Sequence, residues 1–222
     1  MVRFSPYSVG GSPPQTSFDA SFFPLWSFFM KRFAIFISLS LSLVLAKSTL
    51  SCSNIQDFKD FQLENLRYAY HYGKKDKMGF TMAAIAWKES CAGAYRYNAQ
   101  DPSAGNYHVL LQSAVKLDRL FRGEKNIDRP ISGFEMNKIA DRLVRSRRFA
   151  SKIALHQLLE WKKIRKGDMK KVLKSYNRGY SWENSEANNK SAEEYANDVL
   201  EKIKILKKFY EKSPRMRKPV EL

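Results

Sequence analysis

Three short segments carry the residue types and spacings best suited to chemistry. The first, Ala86-Trp87-Lys88-Glu89-Ser90, ends the most apolar of the expected helices, Met78 to Lys88. A carboxyl at the end of such a run is partly desolvated, and desolvation raises its pKa. A glutamic acid that keeps its proton near neutrality can donate it to a leaving oxygen. Taken alone, a Glu at a helix end is more often a solvated or capping group. The second segment is Asp101-Pro102-Ser103-Ala104-Gly105-Asn106-Tyr107-His108, and the third is Ser175-Tyr176-Asn177-Arg178-Gly179. Read separately, they are a turn and a helix end. A metal site is not expected, because His71 and His156 show no ligand spacing with His108.

In this order and at these distances the three segments resemble the soluble lytic transglycosylase domain of the lysozyme-like superfamily. Its catalytic helix ends in Glu-Ser, as Glu89-Ser90 does here. Its next motif, of Ala-x-Gly-Leu-Met-Gln type, falls on Ser103 to His108. Its Ala-Tyr-Asn-x-Gly motif falls on Ser175 to Gly179. A Tyr on an apolar helix then follows, as Tyr195 and Val199 do in this chain. The likeness spans about Lys77 to Tyr210. The family's glutamine becomes His108 when Gly105 is held in place, with Gln112 one helical turn later as the other candidate. Asn106 and Tyr107 replace Leu and Met, which makes the expected cleft floor more polar.

The resemblance implies cleavage of the β-1,4 bond between N-acetylmuramic acid and N-acetylglucosamine with 1,6-anhydro product formation. Glu89 is then the acid and base. Tyr176 hydrogen-bonds and orients it, Asn177 holds an N-acetyl group, and Ser90 binds substrate or supports Glu89. His108 and Gln112 are candidates to line the sugar subsites, and Tyr107 to stack on a sugar. One carboxylate suffices because the C6 hydroxyl of the sugar, not water, closes onto C1. An alternative uses Asp101 as a second carboxylate, as in the similar goose-type lysozymes, and hydrolyses the same bond. The plainer reading of Asp101 is an Asp-Pro turn whose carboxylate caps its own backbone. A basic wall-binding module without activity is the third reading. No cofactor is implied.

The elements that must position these residues are helical almost throughout, so the expected fold is all-α, and the resemblance implies a lysozyme-like domain with a glycan cleft. An N-terminal helix within 51–76 is expected first, then a catalytic domain over 77–212 and a frayed basic tail over 213–222. Within the domain the spacing predicts helices over 78–88, 109–121, 134–144, 148–164 and 169–176. Asp168 reads as an N-cap. Ser191-Ala192-Glu193-Glu194 reads as the start of the last helix, with Asn177 to Asn189 irregular. Cys91 to Tyr107 reads as loop, and Gly123 to Gly133 matches no motif.

Ahead of this domain, Met30-Lys31-Arg32 and the uncharged stretch Phe33 to Ala46 have the parts of a secretory signal peptide over 30–46. The apolar run falls short of the roughly 20 residues of a membrane span. A membrane link is therefore expected only through an uncleaved signal, and the protein is expected in the periplasm or secreted. Residues 1–29 read as an extension or as a start assigned too early. Cys52 and Cys91 have no CxxC partner; spacing alone favours two separate thiols, with pairing open in an oxidising compartment.

The 222 residues carry 39 Lys and Arg against 22 Asp and Glu, a formal charge of +17. Most of it survives removal of residues 1–47, which hold Arg3, Lys31, Arg32 and Lys47 against Asp19. Peptidoglycan strands and other anionic wall polymers are the expected partners of such a surface, acting on a monomer. Nucleic acid is not expected, since no helix-turn-helix or similar motif is present.

Overall fold

The computed structural model describes residues 52–222. The expected signal over 30–46 and the segment 1–29 lie outside the described residues. Most of the described residues are helical, in line with the all-α expectation. A short 3-10 turn, Ile55–Asp57, leads into α1 (Asp60–Gly73), then α2 (Gly79–Ser90). Three two-residue strands follow, β1 (Tyr97–Asn98), β2 (Ser103–Ala104) and β3 (Val109–Leu110). The chain then runs through α3 (Leu111–Phe121), α4 (Gly133–Arg145), α5 (Arg147–Ile164), α6 (Met169–Arg178), α7 (Glu186–Lys212) and α8 (Pro214–Arg217).

The centre of the fold is α2. Nearly every residue from Gly79 to Trp87 is buried, so this helix has no solvent face along most of its length. Ala83, Ala84 and Ala86 keep it thin, which lets α1 and α7 pack closely on it. At Gly79 the approach is close enough that a Cβ would meet the Tyr70 carbonyl oxygen at 2.6 Å. Around these helices the core is completed by Leu143, Ile153, Leu158, Leu173 and Val199.

Several expectations change. The stretch read as loop contains a small antiparallel sheet, with Tyr97 opposite Ala104 and Ala104 opposite Val109. Val109 and Leu110 are spent on that ladder, so α3 begins at Leu111 rather than Val109. The last helix begins at Glu186, not near Ser191, because the Ser185 hydroxyl already accepts the Asn188 N–H at 3.2 Å. The basic tail is not frayed at its start: Pro214 opens α8, Met216 is buried, and Arg215 pairs with Asp60 at 2.6 Å. Asp168 does cap α6, accepting the Lys171 N–H at 3.1 Å.

The segment after Gly123, which matches no motif, folds around one side chain. Arg119 is fully buried and donates to the carbonyls of Ile127 (2.9 Å), Arg129 (2.7 Å) and Pro130 (3.1 Å), with its other bonds going to Glu135. A buried guanidinium must have every donor met, so the loop is shaped to supply carbonyls.

The two cysteines are joined, contrary to the separate thiols favoured from spacing. Cys52 and Cys91 have Cα atoms 5.3 Å apart and form a disulfide across 39 residues. Sequence spacing carries no information on that approach. It arises because the chain ahead of α1 lies across the end of α2, where the Trp87 indole donates to the Cys52 carbonyl at 2.7 Å. Closing a loop of this length is worth about 4 kcal/mol in the chain-entropy account. Reduction with alkylation is therefore expected to lower the melting temperature by many degrees; an unchanged melting curve would show that the bond contributes nothing. Among the described residues no helix is long and apolar enough to cross a membrane.

Candidate active site

The chain after Glu89 turns sharply. Cys91, Ala92 and Gly93 have φ of 52°, 55° and 90° in succession, a run of left-handed residues that stops α2 at Ser90. Ser90 holds that turn. Its buried hydroxyl donates to the Asn106 carbonyl at 2.8 Å and accepts the Gly93 N–H at 2.9 Å. Buried in that turn, Ser90 has no surface to offer a substrate, and its hydroxyl holds the backbone that follows Glu89.

Glu89 lines a cleft of about 440 Å³. Asp101, Ser103 and His108 of the β-loop line it as well. Trp161 of α5 and Tyr176 and Asn177 of α6 complete its lining. Gly105 keeps the β-loop close to the helices behind it: its φ is +81°, and a Cβ there would meet the Leu143 carbonyl at 2.9 Å. Gly179 ends α6 with φ +59° and donates to the Ser175 carbonyl at 2.8 Å, leaving Tyr176 and Asn177 on the cleft wall.

The Glu89 side chain is 19% exposed. Burial is the largest influence on it and pushes its pKa up to about 7. A hydrogen bond from Tyr195 and the charge of Lys88 oppose that rise, while Asp101 adds to it. At neutral pH the carboxyl is therefore balanced between its two forms, the condition in which one group can both give and take a proton.

The tyrosine that touches Glu89 is Tyr195 of α7, not Tyr176. The Tyr195 hydroxyl donates to Glu89 Oε1 at 2.6 Å, and burial together with the nearby carboxylate holds that hydroxyl protonated. Tyr176 lines the cleft, but its hydroxyl donates to the Tyr107 carbonyl at 3.1 Å. The sequence places Tyr195 on the inward stripe of the last helix; what it lacks is the pairing of α7 with α2, which brings residues 106 positions apart into contact.

Two further side chains lie elsewhere than expected. Tyr107 is 1% exposed, with its hydroxyl 2.8 Å from Ser151 Oγ, so it cannot stack on a sugar. Gln112 is exposed on α3 and lies outside the cleft, where Ser113 takes the lining position. Besides Tyr176, the Trp161 ring lines the cleft, and the sequence assigns it only to a helix face. It meets Tyr180 edge to face at 5.0 Å, and the Arg165 guanidinium lies 5.6 Å from its centroid. His108, Asn177 and Asp101 all line the same cleft. Among the described residues no three His, Cys, Asp or Glu side chains converge as a metal site.

Tyr195→Phe is expected to remove the one hydrogen bond that favours ionised Glu89. The Glu89 midpoint should then rise above 7 and any turnover fall about tenfold, as the carboxyl loses its orientation. A pH titration of Glu89 by carbon NMR that shows no upward movement would remove Tyr195 from this role.

Compared with known proteins, the chain is 29% identical over 180 residues to an uncharacterized 20.7 kDa protein in the vs-regB intergenic region of Enterobacteria phage T4. That alignment takes in 74% of this chain and 90% of the phage protein. No protein-family profile matches the chain, and no solved structure matches it.

Proposed function

We propose that this protein is a peptidoglycan lytic transglycosylase that cuts the bond between N-acetylmuramic acid and N-acetylglucosamine, with Glu89 as acid and then base. The observation that carries this reading is the Glu89 carboxyl, four-fifths buried in an open polar cleft, with its pKa near 7 and a tyrosine bonded to one oxygen. Protonated Glu89 gives its proton to the glycosidic oxygen, and the resulting carboxylate takes the proton of the sugar's C6 hydroxyl as that oxygen closes onto C1. Tyr195 holds Oε1, which leaves Oε2 to carry the proton. Trp161 offers an aromatic wall to a sugar ring, and Asn177 offers an exposed amide to an N-acetyl group. The order Glu-Ser, Ser-Ala-Gly, Tyr-Asn-x-Gly along the chain supports the same reading through the family resemblance.

The Cys52–Cys91 disulfide favours an oxidising compartment, as does the signal expected over 30–46. A periplasmic or secreted site of action follows, with the glycan strands of the wall as substrate and its anionic polymers as attractants for the basic surface.

A second reading is hydrolysis of the same bond, and one observation favours it: Asp101 lines the Glu89 cleft and is close enough to raise the Glu89 pKa. Digestion of purified sacculi followed by product mass spectrometry separates the two. Anhydro ends are expected. Reducing ends would transfer the reaction to a water activated by Asp101, and intact sacculi would sink both readings.

A further inference from the structure

The second oxygen of Glu89 faces His108. Oε2 lies 3.6 Å from His108 Nδ1, and the histidine side chain is 12% exposed. The other ring nitrogen, Nε2, lies 2.7 Å from the Tyr95 carbonyl oxygen. A carbonyl only accepts, so Nε2 must carry a hydrogen. In the neutral ring Nδ1 is then a bare acceptor. A bare nitrogen facing a carboxylate oxygen is an unfavourable pair of lone pairs, and one proton placed between them removes the conflict.

We propose that Glu89 and His108 hold a single proton between them, seated on Oε2 or on Nδ1, so that the acid of this cleft is a carboxyl–imidazole dyad. In one form the Glu89 O–H points at bare Nδ1; in the other the carboxylate faces an Nδ1–H of the imidazolium. Nε2–H stays on the Tyr95 carbonyl in both. The inference rests on Glu89 being the acid of the cleft, as proposed above.

The local structure is built to fix this tautomer. Tyr95 N–H donates to the Ser90 carbonyl at 2.9 Å, so the acceptor that holds His108 is anchored to the end of the helix bearing Glu89. His108 has φ +41°, a strained left-handed conformation for a non-glycine residue, which the surrounding β-loop must impose. In that conformation the ring has Nδ1 toward Glu89 and Nε2 on the Tyr95 carbonyl. The gap of 3.6 Å closes to hydrogen-bond range with a movement of about 0.5 Å, the kind of tightening that catalytic contacts undergo when substrate fills a cleft. The charged and titratable groups around the pair are Lys88 beside Glu89 on α2, Asp101 on the β-loop, Tyr176 on α6 and Tyr195 on α7. Burial holds His108 below its ordinary pKa, so a second proton is resisted.

The test is an NMR titration of the full chain carrying carbon-labelled Glu and nitrogen-labelled His, between about pH 5 and 9. Glu89 Cδ and His108 Nδ1 are expected to respond with one shared midpoint, while Nε2 stays protonated. In Glu89→Gln the Nδ1 transition should move down by at least about one pH unit, a tenfold loss of proton affinity. His108→Asn, chosen because asparagine tolerates a positive φ, should lower the Glu89 midpoint by a similar amount. Separate midpoints, a bare Nε2, or an Nδ1 transition unmoved by Glu89→Gln would each overturn the dyad. Sacculi left intact by a protein that shows the shared midpoint would remove the wall reading and leave the dyad. Sacculi cut by a protein whose Glu89 titrates alone would do the reverse.

Discussion

Glu89→Gln is expected to reduce release of wall fragments from sacculi on the order of 10³-fold, within the range that general acid–base catalysis supplies. The amide keeps the shape of the side chain and its neighbours Tyr195 and His108, so a loss of this size reports the missing proton rather than a collapsed cleft. The wild-type rate should fall above pH 7, because the form that donates is the protonated one and its midpoint is about 7. Asp101→Asn gives the contrast. If the C6 hydroxyl is the nucleophile, this change costs less than about tenfold, through a lower Glu89 pKa alone. If it costs as much as Glu89→Gln, Asp101 activates water and the reaction is hydrolysis. Undiminished lysis by Glu89→Gln would remove Glu89 from the chemistry altogether.

The same substitution is expected to change stability in the opposite sense at alkaline pH. Glu89 has a folded-state pKa of about 7 against 4.5 for the free side chain. Below pH 4.5 both the folded and the unfolded chain hold the proton, and the group contributes no pH dependence. Between 4.5 and 7 the unfolded chain releases its proton while the folded chain keeps it, so stability falls as pH rises. Above 7 the loss is complete, at about 3 kcal/mol for a shift of this size. The glutamine amide cannot ionise. The variant should therefore match the wild type in acid and exceed it at about pH 8 by up to that amount. Denaturant melts at the two pH values give the comparison, and equal midpoints in alkali would mean that Glu89 is not held in a desolvated site. Lost activity together with gained stability is the mark of a residue kept against the interest of the fold.

The helices are legible in the sequence wherever a face has to be apolar. The run from Met78 to Trp87 has no polar face, and α2 is buried on all sides. Asp168 announces the start of α6 because an N-cap is a local event between a side chain and a backbone N–H three residues on. The start of α7 escapes for a related reason. Two serines, Ser185 and Ser191, each offer a capping hydroxyl, and only the packing of the helix behind them selects the first. The sheet escapes because two-residue strands carry no alternation to read.

The site divides in the same way. Glu89 is legible because desolvation at the end of an apolar helix follows from neighbours in sequence. The partners of its two oxygens are not. Tyr195 reaches Oε1 across 106 residues, and His108 reaches the other side through a strained turn. Tyr107 and Tyr176 look equally available in the sequence, yet one is sealed in the core against Ser151 and the other spends its hydroxyl on a backbone carbonyl. Trp161 reads as one more apolar residue on a helix face, and only the junction of α5 with α6 sets it beside the cleft.

By itself the sequence determined a helical chain, a basic surface and a carboxyl whose own neighbours take it out of water, because each depends on residues a few positions apart. The tertiary structure alone decided the disulfide, the orientation of Glu89 and the histidine that faces it. Those depend on which helix lies against which, and a hydrogen bond is settled within a few tenths of an ångström, a scale on which linear spacing is silent.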